Sequence, residues 1–227
     1  QPRSRGLGDV YKRQDEVDST NDYVKRNLNK LPNLSVVRCN YQTNGRGRNG
    51  HVWQSKNGDD LLMSILVKDF KKPQDLHKMT QLVACSVAGL LDRYGIKAKI
   101  KWPNDIYVDD LKICGILVEA IYQTDLEGVV VGVGLNVNSI NGDYASMKMK
   151  TGQTYQVKSL MIAMLTYFKI YYSLYQQGSY DKILDYANDI AYLKDKQVEF
   201  QDYGLVTFTK LNENGTVNFC LLYTSPS

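Results

Sequence analysis

A glycine-rich segment with two arginines is the first part of the sequence that could do chemistry. Gly45-Arg46-Gly47-Arg48-Asn49-Gly50 places two guanidinium groups in a backbone that carries few side chains. Such a loop can bring backbone amides and positive charge close around an anion. A solvated turn, or an arginine–glycine segment that contacts RNA, would have the same composition. The segment is not a Walker P-loop, because no Gly-Lys-Ser/Thr follows, and it lacks the glycine spacing of a Rossmann fingerprint.

Three further segments interrupt apolar strands with polar residues or glycine. Lys101-Trp102-Pro103-Asn104-Asp105 leaves an amide and a carboxylate where proline ends a strand, although a turn capped by Asn and Asp has the same pattern. Lys112 begins a strand that contains Gly115; glycine in a strand often marks the close approach of a ligand, whereas a lone lysine is more often solvated. Residues 132–138 repeat the pattern, with two glycines followed by Asn136. Because these interruptions cluster in one segment, we expect them to belong to one site.

Periodicity and turn residues predict the elements that position this site. Helices are predicted at residues 19–29, where Ser19 is the N-cap, at 75–95, where Asp75 is the cap, and at 157–176 and 180–192. Strands are predicted at residues 35–40, 61–68, 97–102, 106–108, 113–121, 129–137, 198–201, 205–210 and 217–220. Residues 41–58 form a long polar loop, which is unusual in a compact domain unless it has a function.

This order of elements predicts an α+β fold: a mixed, largely antiparallel sheet with helices packed on one face. We expect a main domain over residues 15–194 and a partial β domain over residues 195–220, whose last two strands are joined at Asn214-Gly215. The flanks, residues 1–14 and 221–227, have no periodicity and resemble translated vector sequence, so we expect them to be foreign to the protein.

Composition excludes several classes of protein. With 43% hydrophobic and 23% charged residues, the 227-residue chain is not disordered, coiled-coil or collagen-like. A net charge of +4 is too small to require nucleic acid. The longest apolar stretch, residues 160–175, is shorter than the ~20 residues that cross a bilayer, so no membrane association is expected. Four scattered cysteines and two histidines argue against zinc and against a disulfide framework, and favour reduced thiols in a cytoplasm.

Five motifs, in order, resemble those of the biotin protein ligases: residues 18–21 (Asp-Ser-Thr-Asn), Gln42 with the loop from Gly45 to Trp53, residues 101–105, residues 112–119 and residues 132–138. The resemblance covers residues 15–220. It implies a class II synthetase-like catalytic domain over residues 15–194 and a truncated SH3-like domain over residues 195–220. It also implies the reaction: biotin and MgATP give biotinyl-5′-AMP and pyrophosphate, and a lysine of a biotin carboxyl carrier domain then attacks the mixed anhydride.

The resemblance assigns a role to each matching position. Lys112 and Arg48 would stabilise the reacting anions and Asp105 would position the acceptor lysine, which makes these three the catalytic candidates. Biotin would be bound by Ser19, Thr20, Asn21, Gln42, Gly45, Arg46, Lys112, Gly115 and Gly132. ATP would contact Arg46, Arg48, Trp53, Asn104, Lys112 and Asn136, and Mg²⁺ would be held near Asn104 and Asn136 without a cluster of protein metal ligands. Preorganised positive charge would offset the repulsion of two anions, and the loop would exclude water from the labile adenylate.

The chain departs from the family pattern at Asn49 and His51, where relatives often carry further basic residues. Only residues 1–14 precede the first motif, so the DNA-binding domain of the repressor relatives is not expected. A lipoate ligase or octanoyl transferase of the same superfamily is an alternative, although these favour a different arginine–glycine motif. Two alternatives belong to other functional classes: a nucleic-acid-binding module, and an inactive protein that binds biotin or the carrier. Homodimerisation through a sheet edge stays open.

Overall fold

The main unit is a seven-stranded sheet in the order β1-β2-β3-β7-β6-β5-β4. The computed structural model describes residues 11–70, 72–140, 142–194, 196–200 and 204–221. The strands of this sheet are β1 (Tyr11–Val17), β2 (Val36–Gln42), β3 (Leu61–Val67), β4 (Lys99–Lys101), β5 (Asp105–Val108), β6 (Leu111–Tyr122) and β7 (Leu126–Leu135). β1 and β2 are parallel, and the other neighbours are antiparallel. The predicted mixed, largely antiparallel α+β fold is therefore confirmed.

Helices cover both faces of this sheet. They are α1 (Thr20–Arg26), α2 (Leu76–Arg93), α3 (Met147–Thr151), α4 (Val157–Gln176) and α5 (Tyr180–Asp189). The large core lies between the sheet and α2, α4 and α5, and contains Leu82 and Phe168. α1 packs on the opposite face through Val24, which meets Leu66 and Val130. The prediction that the helices pack on one face was therefore wrong for α1.

The side-chain alternation of β3 explains this arrangement. Leu61, Met63, Ile65 and Val67 join the large core, while Leu66 points to the small core under α1. Ser64 is a fully buried hydroxyl in an otherwise apolar strand. A buried polar group needs a hydrogen-bond partner, so Ser64 marks the place where the second face of the sheet changes from core to site.

A second sheet follows the helices, in the order β10-β9-β8, from β8 (Gln197–Phe200), β9 (Gly204–Leu211) and β10 (Val217–Leu221). Its hairpin contains Gly215 with φ of +83°, which confirms the turn expected at Asn214-Gly215. Asn188 at the end of α5 accepts a hydrogen bond from the Leu211 amide at 2.7 Å and donates one to the Leu211 carbonyl at 3.2 Å. Lys78 of α2 pairs with Glu213 at 3.0 Å. These contacts fix the small sheet to the large unit.

Several predicted boundaries differ from the structure. β1 includes residues 11–14, which the sequence analysis assigned to a foreign flank, and α3 was not predicted. The side chain of Asp75 does not cap α2 but pairs with Lys78 at 3.5 Å. The helix predicted to reach residue 192 ends at Asp189. β7 begins at Leu126, three residues before the strand predicted at residues 129–137.

Residues 1–10 and 222–227 of the predicted flanks, and residues 195 and 201–203 of the predicted small domain, lie outside the described residues. The foreign origin of the flanks and the SH3-like character of the small domain stay predictions. Within the described ranges, no helix combines the length and hydrophobicity that a bilayer crossing requires.

Candidate functional site

The part of the sheet that α1 leaves uncovered is the floor of a cavity of about 570 Å³. Gly115 and Leu117 of β6 pair in register with Gly134 and Gly132 of β7, and all four line it. Every predicted site residue except Gly45 also lines this cavity: Ser19, Thr20, Asn21, Gln42, Arg46, Arg48, Trp53, Asn104, Asp105, Lys112, Gly115, Gly132 and Asn136. The fold thus brings together residues from five separate stretches of chain.

A polar wall is formed where β1 and β2 end together. The two strands are parallel with Val17 opposite Gln42, so the chain that enters α1 passes beside the Gln42 side chain. Gln42 Oε1 accepts hydrogen bonds from the Thr20 amide at 2.8 Å and from the Thr20 hydroxyl at 3.1 Å. Ser19 is the N-cap of α1 and accepts from the Asp22 amide at 3.4 Å. This wall presents fixed, uncharged donors and acceptors, which suit a neutral polar ligand.

Ser64 supports this wall from the sheet. Its hydroxyl lies 2.7 Å from the Thr20 hydroxyl and donates to Asn21 Oδ1 at 2.6 Å. Asn21 in turn donates to the carbonyl of Leu117 at 3.2 Å. A Cβ atom at Gly132 would lie 2.6 Å from Asn21 Oδ1. Ser64 was not among the predicted site residues, although a serine among the apolar residues of a buried strand was the signal. Gly132, a predicted biotin contact, has Asn21 as its nearest neighbour, and its role in binding biotin stays a prediction.

Trp53 lies on the glycines of the floor. A Cβ atom at Gly134 would lie 2.5 Å from its Cε2, and one at Gly115 would lie 2.8 Å from its Cζ3. In the part of the chain that the structure describes, the buried Trp53 Nε1 has no hydrogen-bond partner. Gly115 therefore makes room for an indole ring, and its role as a biotin contact stays a prediction.

Three charged groups meet at one end of the cavity: Lys112 of β6, Asp105 at the start of β5 and Arg48 of the glycine loop. Lys112 Nζ lies 2.8 Å from Asp105 Oδ1 and 5.5 Å from the centre of the Trp53 ring. Arg48 reaches across from the loop and donates to Asn104 Oδ1 at 3.3 Å. Asn104 donates to the Ile116 carbonyl at 3.0 Å. Two cations thus converge on the same end of the cavity, where they could stabilise an anion.

The glycine loop folds back on itself as a narrow hairpin. Arg46 and Val52 form an antiparallel bridge, and the Trp53 amide donates to the Gly45 carbonyl at 2.9 Å. A Cβ atom at Gly45 would lie 2.5 Å from the Trp53 carbonyl oxygen, which explains glycine at this position. Gly45 thus shapes the loop from outside the cavity. Arg46, expected to contact ATP, places its guanidinium group against Asp22 at 2.7 Å.

Asn136 directly follows the last residue of β7; it is buried and donates to the Ala145 carbonyl at 3.0 Å. Asp60, which the sequence analysis missed, fixes the next residues: its Oδ1 accepts from the Val137 amide and from the Ser139 hydroxyl, both at 2.8 Å. Burial raises the pKa of Asp60, and these hydrogen bonds offset part of that effect. An acid directly before an apolar strand was the only sequence signal for this role.

Comparison with known proteins places the chain in a family. The model of the biotin/lipoate A/B protein ligase family matches residues 13–136, which include every predicted site residue. The bifunctional ligase/repressor BirA of Bacillus spizizenii is 35% identical over 134 residues, 58% of this chain and 41% of that protein. Biotin--protein ligase 1, chloroplastic, of Arabidopsis thaliana is 38% identical over 128 residues, 54% of this chain and 35% of that protein. The chain thus spans about two fifths of the length of these curated relatives.

A solved structure has the same fold over a greater length. The biotin protein ligase from Aquifex aeolicus in complex with biotin and ATP superposes with a TM-score of 0.75. The superposition covers 94% of this chain and 96% of that one, at 22% sequence identity. Since the family model matches more than half of its 227 residues, the chain belongs to the biotin/lipoate A/B protein ligase family.

Proposed function

We propose that the chain is a biotin protein ligase, which activates biotin as biotinyl-5′-AMP and transfers the biotinyl group to a lysine of a biotin carboxyl carrier domain. The observation that carries this proposal is the cavity itself. A neutral hydrogen-bonding wall of Thr20 and Gln42 lies at one side, and the cations Lys112 and Arg48 lie at the other. A ligand with a neutral polar ring at one end and a carboxylate at the other fits this division. The Arabidopsis thaliana relative is named as a biotin--protein ligase, which supports biotin over lipoate or octanoate.

In the first step, a biotin carboxylate oxygen would attack the α-phosphorus of ATP. The new P–O bond forms as the bond to the β-phosphate oxygen breaks, and pyrophosphate leaves. Both reactants are anionic, so a fixed cation lowers the barrier where their charges approach each other. Lys112 supplies that cation, and its ion pair with Asp105 holds it at the floor of the cavity before ligands arrive. Arg48, held to Asn104, adds a second cation from the loop side.

In the second step, the amine of the acceptor lysine would attack the acyl carbon of the adenylate, and AMP would leave. A lysine amine has a pKa of about 10.4 in water, so it is largely protonated near neutral pH and must lose a proton to react. Asp105 is the one carboxylate among the described residues that line the cavity, and it lies beside Lys112. We assign to Asp105 the positioning of the amine and acceptance of its proton.

Magnesium fits this site as a companion of ATP. Mg²⁺ prefers oxygen ligands and in such sites takes few of them from protein, since nucleotide phosphates and water supply the rest. The described residues contain no cluster of three or more His, Cys, Asp or Glu that could hold a metal alone. Asn136 uses its Nδ2 for the Ala145 carbonyl, which leaves Oδ1 for the ion. Asn104 Oδ1 accepts from Arg48 and has a second lone pair for the ion. When bound, Mg²⁺ would screen the charge of the phosphates.

The partner in this proposal is a carrier domain of a biotin-dependent carboxylase, and the compartment is the cytoplasm. Cys39, Cys85 and Cys114 are buried free thiols and Cys220 is an exposed one, which suits a reducing environment. Burial raises the pKa of Cys39 to about 12, so this thiol stays protonated and unreactive at neutral pH.

The test mixes the purified chain with biotin, MgATP and a carrier domain, and follows pyrophosphate release and carrier mass. We expect biotin-dependent pyrophosphate and one biotinyl group on the carrier. Lys112→Ala should lose both, while Lys158→Ala, an exposed lysine of α4, should lose neither. Biotin binding without pyrophosphate would contradict the proposal, as would pyrophosphate release that depends on octanoate or lipoate and not on biotin.

A further inference from the structure

Two carboxylates beside the cavity, Asp22 of α1 and Glu119 of β6, bind the guanidinium group of Arg46. Arg46 Nη1 lies 2.7 Å from Asp22 Oδ1, and Nη2 lies 3.1 Å from Glu119 Oε1. Both carboxylates lie outside the set of residues that line the cavity. They join the glycine loop to a helix and to a strand that are distant in sequence.

Glu119 is the centre of this cluster. Its Oε1 also accepts from Lys25 Nζ at 2.7 Å, and its Oε2 accepts from Asn21 Nδ2 at 2.8 Å. Lys25 also lies 3.8 Å from Asp22, so two cations and two carboxylates balance each other. The side chain of Glu119 is only 19% exposed. Burial opposes its charged form, but the hydrogen bonds from Lys25 and Asn21, and the charges of Lys25 and Arg46, prevail and lower its pKa.

We propose that Asp22 and Glu119 are positioning residues that act through Arg46, and we call the three together the loop latch. From Arg46 the chain leads through one glycine to Arg48, and the bridge from Arg46 to Val52 leads directly to Trp53. Arg48 and Trp53 both line the cavity, whereas Asp22 and Glu119 do not. The two carboxylates of the loop latch therefore hold the loop segment that carries these two cavity residues, without lining the cavity themselves.

The loop latch also changes the role expected for Arg46. Two carboxylates already offset the positive charge of the Arg46 guanidinium group, so this group attracts a phosphate less strongly. Arg48 and Lys112 then supply the positive charge of the cavity, and Arg46 contributes to binding through its backbone. This consequence rests on the proposed ligase function; the loop latch itself does not.

The first experiment measures the loop directly, without ligands. Trypsin is used to cleave after Arg48 in the unmodified chain, in Asp22→Asn, in Glu119→Gln and in the double variant. Since Arg48 is unchanged in all of them, its cleavage rate reports loop opening. We expect about fivefold faster cleavage in the double variant, from the loss of two partly exposed ion pairs. Lys25→Gln is the matched control, because it removes the other cation of Glu119 and leaves both Arg46 contacts; its rate should stay within about twofold of the unmodified chain.

The second experiment measures retention of the adenylate. The ratio of pyrophosphate released to carrier biotinylated should be near one in the unmodified chain and should rise about fivefold in Glu119→Gln, as released adenylate hydrolyses. A merely structural role of Glu119 would lower both rates together and leave this ratio unchanged. Asp22→Asn, which leaves every contact of Glu119 in place, gives a second measurement if Glu119→Gln folds poorly.

The two proposals fail in different ways. If the unmodified chain makes no biotin-dependent pyrophosphate, the ligase function fails, and the trypsin rates still decide whether the loop latch exists. If the unmodified chain is active but the double variant has native cleavage at Arg48 and Glu119→Gln has a native ratio, the loop latch is overturned.

Discussion

Gly134→Ala is the sharpest perturbation that this site offers. It adds one methyl group to β7, with its Cβ 2.5 Å from Cε2 and 2.8 Å from Cζ2 of Trp53. Ordinary contact between carbon atoms begins near 3.5 Å, so the ring would have to move by about 1 Å. The strand is paired on both sides, with β3 and with β6, so the strand cannot retreat. The movement therefore falls on the ring and displaces it into the cavity.

The cost of this displacement sets the expected effect. Overpacking of a single methyl group costs about 1–3 kcal/mol. If the ring is pushed into the space that biotin uses, this cost appears as weaker binding, and about 1–3 kcal/mol corresponds to a roughly 5-fold to 150-fold higher dissociation constant. Gly142→Ala is the control, because its Cβ would have no neighbour within 4 Å. We expect Gly142→Ala to bind biotin as the unmodified chain does.

The assay combines biotin titration with tryptophan emission. Trp102→Phe removes the other tryptophan, so that emission reports Trp53 alone. In this background, Gly134→Ala should shift the emission and make Trp53 more accessible to acrylamide, and its biotin dissociation constant should rise by the factor given above. Native emission together with native biotin affinity would show that the ring does not rest on β7 in solution, and the reasoning from Gly134 would be refuted.

Three further outcomes are expected. Arg48→Gly removes the contact with Asn104 at 3.3 Å and should release adenylate, seen by mass spectrometry as biotin on unrelated lysines; tight retention would contradict this role. Phe168→Ala should lower the free energy of unfolding in urea by about 3–5 kcal/mol, because the ring is fully buried, whereas the exposed Ile162→Ala should change it by less than about 0.5 kcal/mol. Hydrogen bonds from Arg26 lower the pKa of Asp18 to about 2, so this pair stabilises the fold above pH 4 and loses its effect as pH falls toward 2. Because both side chains are largely exposed, Asp18→Asn should cost less than about 1 kcal/mol at pH 7 and still less at pH 3; an equal cost at both pH values would contradict the assignment.

The sequence predicted most of the sheet and all the long helices because these elements have clear periodicity. β3 is apolar at every position but one, and the helix predicted at residues 157–176 is confirmed as α4 with the same bounds. β1 was missed because it is an edge strand with exposed polar residues, among them Lys12 and Arg13, and edge strands need no buried face. α3 was missed because five residues are too few to show a helical period.

The site was predicted from motifs, but the contacts between motifs were not. The residues that line the cavity lie in segments that match the family motifs. The groups that position them come from parts of the chain that are distant in sequence. Ser64 contacts Thr20, and Glu119 contacts Lys25 and Arg46. These contacts form only because the side chains of Ser64 in β3 and Glu119 in β6 project to the face of the sheet on which α1 packs. Neither pairing follows from local propensity, since each depends on strand order and on which way the pleat faces.

The pleat of β6 and β7 explains why one segment can serve both core and site. Cys114 and Val133 enter the large core, while the alternate positions Gly115 and Gly134 form the floor of the cavity. A register slip of one residue would turn the floor glycines into the core and the core side chains into the cavity. The pairing of Gly115 with Gly134 is therefore fixed by burial on the other face, where the apolar side chains determine the register. The stability of the core and the shape of the site thus depend on the same strand register. Because the core side chains set that register, a substitution at a floor glycine changes the site and leaves the register in place.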